Sequence, residues 1–73
     1  MTRPLDETEL TALTLFANGR STDEVAQTLS LSKSMVQHHL RVATRKLGGR
    51  NRVHAVAIAV ETGLIKPARG ERT

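Results

Sequence analysis

The stretch STDEVAQTLSLSKSMVQHHLRVATRKLGG, residues 21–49, holds two helix starts only eleven residues apart. Ser21 followed by Glu24 is a capping-box pattern, in which cap and third helical residue satisfy each other's backbone N–H groups. It predicts a short helix over Thr22–Leu29, with Val25, Ala26 and Leu29 as its buried stripe. Leu31 is placed to plug the following turn. Ser32 is a second cap, and Val36, Leu40, Ala43 and Leu47 then recur at i, i+4, i+7 and i+11, which predicts a helix over Lys33–Leu47. Gly48-Gly49 ends it. Two helices joined by a turn of three or four residues form a helix-turn-helix.

Outward from this pair, the pattern stays helical. Asp6 with Glu9 is another capping box, and Leu5 stands where it can staple Leu10. Leu10, Leu13, Phe16 and Ala17 predict an amphipathic helix over 6–18, closed by Asn18-Gly19. On the other side Asn51 caps a helix running to Thr62, which Gly63 stops and Pro67 keeps from resuming. No segment alternates like a strand. The expected fold is all-α, a four-helix helix-turn-helix domain over residues 1–65. The polar, basic tail 66–73 is expected to be disordered.

A chain of 73 residues allows one small core, because a domain this short buries only about 60–65% of its unfolded surface. There is no cysteine, which excludes disulfides and thiolate zinc sites. No apolar run reaches the roughly 18 residues of a membrane span, and the start lacks a signal-peptide core. These features predict a soluble, cytoplasmic domain, nucleoid-associated if it binds DNA. The formal net charge is +4 and the pI is near 10.8. Its placement is more informative than its sum. Asp6, Glu7, Glu9, Asp23 and Glu24 precede Val25, whereas Val25 to Val60 contains no acidic residue and carries Lys33, Arg41, Arg45, Lys46, Arg50 and Arg52. A basic half suits a polyanion, either nucleic acid or an anionic membrane surface; a merely solvated basic face gives the same pattern.

Helical geometry then narrows the choice. With Val36, Leu40, Ala43 and Leu47 inward, the outer face of that helix carries Ser34, Gln37, His38, Arg41 and Arg45. Each can donate a hydrogen bond and none is a carboxylate. A helix of about 10–12 Å diameter fits the ~12 Å major groove of B-DNA. Gln can pair with adenine edges and Arg with guanine edges or phosphate, while hydroxyls at a helix N-terminus suit phosphate. An ordinary polar face on a small bundle is the plainer alternative.

The run LDETELTALTLFANGRSTDEVAQTLSLSKSMVQHHLRVATRKLGGRNRVHAVAIA resembles the DNA-binding domain of LuxR-type (GerE-like) bacterial transcription regulators over nearly the whole chain. Arg45-Lys46-Leu47-Gly48 and Arg50-Asn51-Arg52 are its most specific part. The resemblance implies base reading by Gln37, His38 and Arg41. It implies backbone contacts from Ser32 and Ser34 at the helix start and from Lys46 and Arg52 at the far end, to which the outer-face position of Arg45 adds a further cation. It also implies dimerisation through the fourth helix. The sequence departs from the family at Met35-Val36-Gln37, where Thr-Val-Lys is usual, at Thr22-Asp23 in place of Asn-Lys, and at Gly49 in place of an apolar residue. Two positive charges are lost, so target sequence does not carry over.

The fourth helix is apolar on two sides. Val53, Val56, Ala57 and Val60, continued by Leu64, form one stripe; Ala55, Ile58 and Ala59 form another. A surface helix needs only one, so the second stripe, with Thr62, is assigned to a homodimer seam of Ala55, Ile58, Ala59 and Thr62. Exposure of Ile58 without a partner is the alternative. His38-His39 and His54 do not suit a metal, since adjacent helical residues point about 100° apart. No nucleophile has a His–Asp partner, no glycine-rich phosphate loop occurs, and the absence of Trp and Tyr leaves no platform for single strands.

The expected protein is therefore a free-standing, non-enzymatic, sequence-specific regulator that binds double-stranded DNA as a homodimer, with the helix over 33–47 in the major groove. RNA polymerase or another regulator is a further expected partner; no cofactor, metal or membrane is called for. Two rivals stay open. One is a protein-interaction module, an adaptor or anti-activator that pairs with other regulators through the fourth helix and binds DNA weakly. The other resembles region 4 of sigma factors, which shares the helix-turn-helix but not the Lys-Leu-Gly run or the apolar last helix.

Overall fold

The computed structural model describes residues 5–66; of the tail expected over 66–73, all but Lys66 lies outside the described residues. Four helices follow one another: α1 Glu7–Ala17, α2 Thr22–Leu29, α3 Lys33–Leu47 and α4 Arg52–Glu61. Each begins at a side-chain cap foreseen from the sequence. Glu9 N–H donates to Asp6 Oδ1 (2.8 Å) and Glu24 N–H to Ser21 Oγ (3.1 Å), with the reciprocal bonds from Asp6 N–H and Ser21 N–H to Glu9 and Glu24. Ser32 Oγ accepts from Met35 N–H at 3.1 Å, and Asn51 Oδ1 from His54 N–H at 2.8 Å. Such caps contribute about 1 kcal/mol each. Among the described residues no helix is long and apolar enough to cross a membrane.

α3 runs through the middle and packs on α1, α2 and α4. Leu5, Ala12, Leu13, Val25, Val36, Leu40, Ala43, Ala55, Ala59 and Ile65 form the core. Leu5 and Ile65, from the two flanks of the domain, both tuck into it, so the segment after α4 closes the core. Leu31 N–H bonds to Ala26 carbonyl oxygen at 2.9 Å, seating Leu31 against the core as the turn plug. The residue before it, Ser30, has φ 57° and ψ 43°, a left-handed conformation that a side chain makes costly. Gly48 takes the same left-handed region at the end of α3 without that cost. Gly49 is needed for a different reason: a Cβ there would lie 3.0 Å from Ala55 N and 3.1 Å from its Cα. The α3–α4 connection thus lies directly on α4.

α4 is rotated from the expectation, although Val56 and Leu64 of the first stripe do pack against the core. Ala55 and Ala59, assigned to a dimer seam, are fully buried in the domain's own core. Val53 is 70% exposed, and Ala57 and Val60 also face solvent. Side-chain size explains the rotation. Two alanines one turn apart let α4 approach closely, as valines would not. Ile58 is half-buried on the flank and Thr62 is exposed, its hydroxyl donating to Ile58 carbonyl oxygen at 2.9 Å.

Candidate nucleic-acid interface

Burial of Val36, Leu40 and Ala43 fixes the rotation of α3, so Ser34, His38, Arg41 and Arg45 line one exposed face. Gln37 is half-buried on one shoulder of that face. The first turn of α3 contains no acidic residue, so the positive end of its dipole is unopposed on its own helix. Ser32 Oγ is occupied as an acceptor by its cap bond, which leaves its hydroxyl proton free to donate outward. The rings of His38 and His39 meet edge to face at 5.5 Å, with His38 exposed and His39 half-buried.

The other cations are held to different degrees. Arg45 is exposed and appears in no ion pair among the described residues. Lys33 lies 3.6 Å from Asp23 across the α2–α3 turn, with both side chains largely exposed, so solvent screens the pair. Arg52, at the start of α4, is half-buried with its guanidinium 5.7 Å from the centroid of the Phe16 ring, a cation–π contact that ties α4 to α1. Lys46 is committed most firmly. Its Nζ lies 2.9 Å from Glu9 Oε1, and Glu9 is almost wholly buried. The same oxygen accepts from Asp6 N–H, so one carboxylate both caps α1 and anchors the last turn of α3.

The residues assigned from the sequence thus divide into groups. Ser34, His38, Arg41 and Arg45 share a face, with Ser32 at its N-terminal end and Gln37 on its edge. Lys46 and Arg52 lie toward α1 and are engaged inside the domain. The hydroxyls of Thr14, Thr28, Thr44 and Thr62 all donate to carbonyls one turn back. Two features escaped the sequence reading. The Lys46–Glu9 pair joins residues 37 apart in the chain, for which no local signal exists. Met35, noted only as a bulky departure, is 42% exposed beside the polar face.

Residues 3–59 match the family described as bacterial regulatory proteins, luxR family. The chain belongs to that family. It is 42% identical over 60 residues to the response regulator RamR of Streptomyces coelicolor, covering 82% of this chain and 30% of that protein. It is 35% identical over 63 residues to the transcriptional regulatory protein DesR of Bacillus subtilis, covering 86% of this chain and 32% of that one. The transcriptional activator protein BjaR1 of Bradyrhizobium diazoefficiens is 39% identical over 51 residues, 70% of this chain and 21% of that protein. The chain therefore spans a third or less of each of these relatives. Among solved structures, that of the transcription factor GerE superposes with a TM-score of 0.84 at 23% identity, covering 89% of this chain and 97% of that chain. The all-α fold is the luxR-family helix-turn-helix, a DNA-binding module of transcription regulation.

Proposed function

We infer that this domain is a sequence-specific, duplex-DNA-binding regulator that lays α3 in the major groove and acts as a homodimer. One observation carries the reading: Ser34, His38, Arg41 and Arg45 form an exposed, donor-rich face without a carboxylate, on a helix held from behind by the other three. Base edges are read by Gln37, His38 and Arg41. Ser32, Ser34 and Arg45 hold phosphates, with Arg52 at the periphery. The dimer seam is the outward stripe Val53, Ala57 and Val60 of α4, in place of the buried Ala55 and Ala59. A two-fold dimer presents two recognition helices about 34 Å apart, which calls for an inverted-repeat site.

The Asp23–Lys33 pair favours a second reading, because a carboxylate stands near the N-terminal end of α3. On that reading the exposed α4 stripe pairs with another regulator and DNA binding is weak. Selection of sites from a random duplex pool decides between them, followed by Arg41→Ala on the selected site. A bidentate Arg contact discriminates bases by about 1–3 kcal/mol, so Arg41→Ala should cost roughly 5- to 150-fold on the selected site and far less on random duplex. Equal losses on both would make Arg41 a phosphate contact; failure to enrich any site would favour the protein-interaction reading.

A further inference from the structure

Among the described residues three large hydrophobic side chains stand exposed: Val53 and Val60 lie on α4, whereas Met35 lies on α3. Met35 is the third residue of that helix, and its backbone N–H is held by Ser32 Oγ. The side chain is 42% exposed and is absent from the hydrophobics packed on the core. Val42, two turns further on, lies on the same flank, half-buried and likewise off the core. The donor face of α3 is thus bordered, on the side opposite Gln37, by an apolar edge that begins in the first turn.

Resting on the DNA-binding reading, we propose that Met35 is a specificity residue that reads thymine through its C5-methyl group. In helix-turn-helix docking the N-terminal residues of the recognition helix contact base edges, which puts Met35 at base depth near His38, one turn further on. The thymine methyl is the one apolar group on the major-groove edge of the base pairs. An unbranched thioether can adjust its rotamers to seat a methyl group and makes no polar demand of its own. Lysine or glutamine at this position would instead seek an acceptor. The assignment predicts a preference for a thymine at one or two fixed positions of each half-site, set by dispersion and desolvation rather than by hydrogen bonding.

Replacing thymine by uracil removes that methyl and leaves every hydrogen-bonding group in place. Equilibrium binding is measured on the selected duplex with each thymine changed to uracil in turn, for the full chain and for Met35→Ala and Met35→Leu. The wild type should weaken roughly three- to fivefold at the contacted positions, the effect of burying one methyl group. Met35→Ala should bind the thymine duplex more weakly and lose the thymine–uracil difference, while Met35→Leu should keep it. Circular dichroism establishes that the variants are folded; the Ser32 cap bond to the backbone at residue 35 survives both substitutions. Binding of the selected site that is indifferent to uracil everywhere, or a difference undiminished in Met35→Ala, would overturn the Met35 assignment alone. Absence of any preferred duplex would overturn the DNA reading and this assignment with it.

Discussion

At Lys46 the ion pair seen in the fold stands against the phosphate contact expected from the sequence, since both would use one ammonium. Glu9 is almost wholly buried, and Lys46 Nζ at 2.9 Å is its ion-pair partner. Removing one member of a buried pair strands the other, whereas exposed pairs contribute little. Lys46 is itself 43% exposed in its side chain, so the cost falls between those limits. Lys46→Ala is expected to lower stability by about 1–3 kcal/mol in denaturant unfolding, and Glu9→Gln in the same chain to recover much of the loss. Unchanged stability with a salt slope reduced by about one would instead make Lys46 a phosphate contact. Ser30 offers a test in the other direction. Its left-handed backbone is strained for any residue with a Cβ, so Ser30→Gly should stabilise by about 0.5–1 kcal/mol despite the greater freedom of glycine in the unfolded chain. A lower melting temperature for Ser30→Gly would show that the serine side chain stabilises the turn.

At the scale of elements, α4 gives the sharpest contrast, because adjacent residues are predicted to fail differently. Ala59 is fully buried, so Ala59→Glu forces a carboxylate into the core and should unfold the domain. Val60 faces out, so Val60→Glu should keep the helical circular-dichroism signal while sedimentation shows a monomer with weakened full-site binding. A Val60→Glu chain that assembles like the wild type would remove the proposed seam. The starts of all four helices were legible in the sequence because capping is local: Asp6, Ser21, Ser32 and Asn51 are each within three residues of the N–H they accept. The rotation of α3 was legible as well, since only one side of it is consistently apolar. That of α4 was not. Both sides are apolar, and only the smallness of Ala55 and Ala59 marks the side that packs closely. Gly49 carries the same message from the other partner, because its missing Cβ lets the α3–α4 connection lie on Ala55.

Across the whole molecule, the chemistry follows from how charge is divided along the chain. The acidic residues of the first third all lie at the N-terminal caps or first turns of α1 and α2, where Asp6, Glu9 and Glu24 complete capping boxes, while Val25 to Val60 has none. The luxR-family fold turns that segregation into a surface, because α3 packs on all three other helices and leaves one donor-rich face outward. A dimer through α4 would double this face about a two-fold axis and select an inverted repeat over a single half-site. The measurement that tests this most directly is a salt titration of binding to the selected site and to random duplex, by fluorescence anisotropy. Sequence-specific binding predicts a selected site bound at least about 1,000-fold more tightly than random duplex, with log K falling linearly in log salt for both. Equal affinity for the two duplexes across the titration, or no binding to either at about 50 mM salt, would contradict the account.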